Sequence, residues 1–223
     1  MTILTAAPTP QRYSIAMKRF VLVFVLLFES SLFAQKLETS SAAPTAPEAM
    51  TTAVADHALS VTVGDNKIQL WPAKAVAGEA NGADEALYPD LPRGAFAGLI
   101  QFSAEASDFR GQKIPAGTYT LRYATLPSDG NHLGVAPSPD FFLLVPIAND
   151  VNPAAVLPYA RLIRLSARAS GTNHPAAFSL TAAAAKSPST NTNEKGHVSV
   201  TFDLDVNGKP LPVAMIVHGV AEQ

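Results

Sequence analysis

The 223-residue chain has no cysteine, which excludes thiol catalysis, disulfide scaffolds, iron–sulfur clusters and cysteine-ligated zinc. Charge is scarce as well: 15% of the residues are charged, against about a quarter in an ordinary soluble domain. A formal net charge of −2 leaves no basic surplus to neutralise phosphates, so a nucleic-acid partner is not expected. No apolar run reaches the ~20 residues that span a bilayer, and no fixed-period repeat points to a propeller or solenoid. The catalytic phrases G-x-S-x-G and H-E-x-x-H are missing, as are the phosphate loop and the dinucleotide fingerprint. These absences remove particular enzyme classes and turn the reading away from catalysis without closing it.

Against these absences stands an apolar fraction of 48%, enough carbon for a packed core. Part of it is an address. Met17-Lys18-Arg19 precedes nine consecutive apolar residues, Phe20 to Phe28, and Ala34 follows at the end of Leu32-Phe33-Ala34. A basic pair, a short apolar core and a small residue read as a signal peptide over 17–34, cut after Ala34. Residues 1–16 then read as a non-native leader or misannotated start, with Met17 as the true first residue. Removing residues 1–34 leaves 13 basic and 17 acidic residues, a net charge of −4. The expected location is the bacterial periplasm or exterior, with membrane contact only during export.

Residues 35–57 are small, polar and proline-bearing, and read as a flexible tether. From residue 58 to 223 short apolar runs alternate with turn residues, as in a single β-domain. Leu59–Val63 alternates with period two, and Gly64-Asp65-Asn66 turns it into Lys67–Trp71. Residues 72–95 read as a long surface loop, and Ala97–Phe102 as a short strand. Gly117 to Leu126 is the best strand, with Tyr119, Leu121 and Tyr123 on one face and Thr120, Arg122 and Ala124 on the other. Phe141–Val145 is apolar throughout, as in a strand covered on both sides. Further strands are expected at 176–180, 197–206 and 211–217, the last two joined by Asn207-Gly208, a type I′ hairpin signal.

Residues 154–169 break this pattern. Leu162, Leu165 and Ala169 recur at helical spacing, Asn152 and Pro153 stand where a cap belongs, and Gly171 stands where the helix would stop. A strand over 161–168 competes, because Ile163, Leu165 and Ala167 also share a strand face. The whole predicts an all-β immunoglobulin-like sandwich of about eight strands with one short helix.

Candidate sites are few. Asp203-x-Asp205-x-Asn207-Gly208 matches the first half of a calcium loop, but the twelfth position is Ala214 where calcium needs a bidentate glutamate. A structural hairpin is the preferred reading. The loop 127–140 concentrates Asp129, Asn131, His132 and Asp140, and the loop 170–175 carries His174. If both loops lie at one end of the domain, these residues form a binding site, or two imidazoles and a carboxylate for a metal ion or a general base. Arg161, Arg164 and Arg168 fall on one helical stripe that suits an anionic partner such as a phosphorylated lipid or acidic glycan, or is merely solvated. Trp71 and Tyr88 would stack on a sugar ring or, by preference, enter the core. No cofactor is implied beyond a possible metal ion.

The stretches Gly111-Gln-Lys-Ile-Pro-Ala-Gly-Thr-Tyr-Thr-Leu-Arg-Tyr123, Pro127-Ser-Asp-Gly-Asn-His-Leu-Gly134, Pro139-Asp-Phe-Phe-Leu-Leu144 and Ser170-Gly-Thr-Asn-His-Pro175 carry a resemblance. In order and spacing, over about residues 98–182, the chain resembles exported proteins of environmental bacteria such as acidobacteria and planctomycetes. The Lys-x-Ile-Pro-Ala-Gly-Thr-Tyr phrase is similar to one that leads into a core strand in other bacterial β-sandwich domains. The resemblance implies an exported β-rich domain and no reaction. The expected function is a non-catalytic envelope domain that binds a ligand or protein partner. A hydrolytic or metal-dependent enzyme built on His132 and His174, and a structural or adhesion component of the envelope, are the alternatives.

Overall fold

The structure, a computed structural model, describes residues 35–83, 85–126 and 136–221. The signal segment and most of the 127–140 loop therefore lie outside the described residues.

The described chain is mainly β. Its strands are β1 (Glu38–Ser40), β2 (Ala58–Val63), β3 (Asn66–Pro72), β4 (Phe96–Phe102), β5 (Ala106–Ser107), β6 (Lys113–Ile114), β7 (Gly117–Thr125), β8 (Asp140–Pro146), β9 (Ala177–Thr181), β10 (Ser189–Thr192), β11 (Val198–Val206) and β12 (Lys209–His218). Two α-helices are described, α1 (Glu48–Thr52) and α2 (Tyr159–Ser170). Ten strands form one antiparallel sheet in the order β1-β2-β3-β4-β7-β8-β9-β12-β11-β10, while β5 and β6 pair separately. The sheet curls on itself. Val76 bridges Val206 at the end of β11, and Thr190 of β10 donates to the carbonyl of Gln35, just ahead of β1, at 2.6 Å.

The main core fills the inside of the curl. Leu121 and Tyr123 of β7 and Phe142 and Leu144 of β8 point into it, with Trp71, Phe102, Phe178 and Phe202. Phe102 stacks on Phe178 with ring centres 5.7 Å apart, and Phe142 meets Phe202 at 6.2 Å. Alternation then turns Ala124, Phe141, Leu143 and Val145 to the outside, where Leu157 and Leu162 cover them in a second, smaller core. Strand β8 is therefore apolar on both faces, as its lack of alternation requires.

The expected strands are present, and four short ones are added: β1, β5, β6 and β10. The hairpin between β11 and β12 closes at Val206 and Lys209, with φ of 53° at Asn207 and 78° at Gly208, the two left-handed residues that a type I′ turn needs. Two expectations need correction. Residues 35–57 are not a free tether: β1 pairs with β2, Met50 and Val54 are wholly buried, and the Trp71 indole donates to the carbonyl of Ala42 at 3.0 Å. Met50 sits in α1, and Val54, just past the helix, bridges Ala73, so these two buried side chains anchor a stretch of otherwise small residues. The described residues of 73–95 contain no strand, yet they bury Val76, Tyr88 and Leu91, so this stretch is not a mere surface loop.

The segment 154–169 resolves in favour of helix but starts late, at Tyr159. Asn152 does not cap it; its Oδ1 accepts instead from the Ala154 amide at 3.0 Å in a local turn. Pro158 disfavours a helical Leu157, and Leu157 remains extended enough to pair its amide with the Gly94 carbonyl at 3.2 Å. Gly171, with φ of 67°, ends the helix where expected. The helix buries Leu162, Ser166 and Ala169 and leaves Arg161, Arg164 and Arg168 exposed on its outer side.

Candidate functional site

Of the expected loop residues, Asp140 and His174 are among the described ones, and these two do not come together. Asp129, Asn131 and His132 lie outside the described residues. Asp140 is wholly buried and belongs to the inner face, where its carboxylate accepts from the Leu87 amide at 2.9 Å, the Tyr88 amide at 3.2 Å and the Tyr123 hydroxyl at 2.5 Å. Those three donors make it a clamp between β8, β7 and the 73–95 segment, so the expectation of a ligand-binding Asp140 is corrected. His174 is exposed and stands on the outer face beside Phe141 and Leu143. Adjacent strand residues point to opposite faces, and this alternation separates Asp140 from His174.

The clamp sets its own electrostatics. Burial, and then the hydrogen bond to Asp140, push the Tyr123 phenol far above its usual range, so the hydroxyl stays protonated and donates. Asn81 donates to the same oxygen at 3.1 Å. Burial also raises Tyr88, whose hydroxyl donates to the Thr181 carbonyl at 2.6 Å and accepts from the Ala214 amide at 3.0 Å. Tyr88 and Trp71 are both core residues, which removes them as sugar-stacking platforms.

A second buried charge was not anticipated. Arg122 is wholly enclosed and forms a two-pronged ion pair with Asp150, Nε to Oδ2 at 2.7 Å and Nη2 to Oδ1 at 2.8 Å. Its remaining donors reach the carbonyls of Gly94, Asn152 and Ala155, and its guanidinium lies 5.2 Å from the centre of the Phe96 ring. Thr120 donates to Asp150 Oδ2 at 2.6 Å. All five N–H groups of the guanidinium are thus used. The sequence signal is the small size of its neighbours on that face, Thr120 and Ala124, which leave room for an arginine to lie flat.

What is open on the outer face is a groove of about 580 Å³ between α2 and strands β7 to β9. Leu143, Phe141 and Ala124 form its floor, Ile163 and Tyr159 of α2 one wall, and Arg110, Asn173 and His174 part of its rim. Its volume is within the range of small-molecule sites. The rim is built on a buried polar network. Asp108, wholly buried, accepts from the amides of Arg110, Gln112 and Ala177 and from Gln112 Nε2 at 2.7 Å. Gln112 also donates to the Pro175 carbonyl at 2.9 Å and accepts from Thr172 Oγ1 at 2.6 Å. Ser170 donates to the His174 carbonyl at 2.7 Å, and Thr172 Oγ1 accepts from the His174 amide at 3.0 Å. The 170–175 loop is therefore tied at four of its six residues, and the His174 and Asn173 side chains face outward from a fixed backbone.

Compared with family models, curated proteins and solved structures, the chain matches none. The groove must be read from its own chemistry.

The remaining candidates fall into place as follows. Asp205 Oδ1 accepts from the Gly208 amide at 2.6 Å, and Ala214 is buried in β12, so Asp203-x-Asp205-x-Asn207-Gly208 is a hairpin and not a calcium loop. Asn207 exchanges two hydrogen bonds with the backbone of Gly78, at 3.0 and 3.1 Å, which spends its side chain on the fold. Among the described residues no group of three or more histidine or carboxylate side chains is placed to hold a metal ion. Arg161, Arg164 and Arg168 form one exposed stripe and take part in none of the described ion pairs. No described helix is long and apolar enough to cross a membrane.

Proposed function

We propose that the chain is an exported, non-catalytic β-domain of the bacterial cell envelope that binds a small, largely apolar ligand in the groove between α2 and β7–β9. One observation carries this reading: an apolar floor and a polar rim enclose about 580 Å³, and the rim is held by the wholly buried Asp108. A buried network fixing an exposed loop is the usual way to present binding groups without entropic loss on capture. Export is supported by the pattern of residues 17–34 and by the resemblance over residues 98–182. Eight strands of five residues or more, β2, β3, β4, β7, β8, β9, β11 and β12, and the Greek-key order β9-β12-β11-β10 support reading the curled sheet as an immunoglobulin-like sandwich.

The test uses N-phenyl-1-naphthylamine, a neutral probe that brightens in apolar surroundings. It should bind the exported form of the chain, and Ile163→Trp, which fills the groove from its helical wall, should abolish the signal while leaving the thermal transition in place. Failure of the probe to bind, or equal binding to the Ile163→Trp variant, rejects the groove as the ligand seat. N-terminal sequencing of exported protein should begin at Gln35; a chain that keeps residues 17–34 contradicts cleavage.

A further inference from the structure

The groove has one formally charged side chain among its described lining residues, and that side chain is the cation Arg110. Arg110 is exposed and takes part in no described ion pair. The carboxylate nearest to it in the chain, Asp108, is wholly buried and already accepts four hydrogen bonds. One of them comes from the Arg110 amide at 3.0 Å, so the arginine backbone is fixed while its guanidinium stays available. The Asp140 carboxylate is spent on the Leu87 and Tyr88 amides and the Tyr123 hydroxyl on the inner face, away from the groove.

We infer that the ligand is an amphiphilic anion, with an apolar body on Leu143, Phe141 and Ile163 and a single carboxylate or sulfonate head held by Arg110. The inference rests on the groove being the ligand seat and adds the identity of the head group. A guanidinium fork matches the two oxygens of a carboxylate. A neutral head would leave Arg110 with water as its only partner, and a cationic head would be repelled by it. The rim amide of Asn173 supplies a further donor for an anionic head, and the described lining presents no acid to oppose it.

The experiment displaces N-phenyl-1-naphthylamine from the exported form of the chain with decanoate, decanol and decylamine, which share one tail and differ in head charge. Decanoate should displace the probe at about a tenfold lower concentration than decanol, the scale of one charge-assisted hydrogen-bonded contact. Decylamine should be the weakest, and added salt should narrow the gap. Arg110→Gln should remove the advantage of decanoate and leave decanol unchanged, while Arg110→Lys should keep part of it. Equal displacement by decanoate and decanol overturns the inference, as does an Arg110→Gln variant that weakens both alike. Loss of all probe binding in the unaltered protein, or none in Ile163→Trp, overturns the groove reading instead, so the two failures are told apart.

Discussion

Arg122 and Asp150 meet entirely inside the protein, guanidinium fork against carboxylate fork, at 2.7 and 2.8 Å. The pair joins the centre of β7 to the segment that leads into α2, because the other guanidinium donors take the carbonyls of Asn152 and Ala155. The helix wall of the groove is thus hung from a strand in the middle of the sheet. Breaking one partner leaves a buried charge uncompensated.

From this follows a double-mutant prediction. Asp150→Ala should destabilise the chain by about 3–5 kcal/mol in urea unfolding, and Arg122→Met by a similar amount because Asp150 then keeps only Thr120. The double variant should be less destabilised than the sum of the two. Additive losses would show that the two side chains are not coupled, contrary to their geometry.

Tyr88, Tyr119 and Tyr123 all have phenols raised above their usual range, each chiefly by burial. A raised folded-state value means that the folded chain holds its phenolic protons more tightly than the unfolded chain does. Their contribution is therefore complete below the ordinary phenol value, about pH 10, and is lost as pH rises above it. The expected outcome is alkaline unfolding in which tyrosinate absorbance and loss of near-ultraviolet circular dichroism rise together. Tyrosinate formation by all tyrosines near pH 10 with the fold intact would contradict the buried clamp. Tyr123→Phe should cost about 1–3 kcal/mol at neutral pH, since it leaves Asp140 with one donor fewer.

Gly94 sits where β4, the Tyr123 carbonyl and the 155–158 segment meet. Its φ is 85°, and a Cβ there would collide with the Leu157 carbonyl oxygen and lie 2.8 Å from the Leu157 nitrogen. The Gly94 carbonyl accepts from both Arg122 Nη1 and the Leu157 amide, each at 3.2 Å. Gly94→Ala combines left-handed strain with a backbone clash, and should cost about 3 kcal/mol or more in urea unfolding. Gly64→Ala, also at positive φ but in open space, is the control and should cost about 1–2 kcal/mol. Equal losses would mean that the close approach of Leu157 contributes nothing.

Periodicity made the strands legible. The alternation in 117–125 and its absence in 141–145 follow directly from one inner face and one helix-covered outer face, and Asn207-Gly208 announced its hairpin. The start of α2 was misread because a local signal, Asn152-Pro153, resembles a cap, while the contacts that hold 152–157 extended come from Arg122 and Gly94, distant in sequence. Asp140 looked like a loop carboxylate because nothing local reveals that Tyr123 and the Leu87 and Tyr88 amides converge on it. For the site, His174 was legible as a loop residue. Arg110 and Gln112 were not, because their importance comes from what the fold sets beside them.

Gln112 supplies the sharpest test of how the groove is supported. It joins Asp108, Pro175 and Thr172 through three side-chain hydrogen bonds of 2.6 to 2.9 Å, yet it contacts none of the floor residues through them. Gln112→Ala frees the 170–175 loop from the 108–112 turn and leaves Asp108 with backbone donors only. Amide exchange should accelerate across 170–175, with a stability loss of about 1–3 kcal/mol. Probe affinity should fall because the rim must then be ordered on binding, while Gln112→Glu should not restore it, since a carboxylate cannot donate to Asp108 or to the Pro175 carbonyl. Unchanged probe affinity together with accelerated exchange would place the ligand entirely on the floor and remove the rim from recognition.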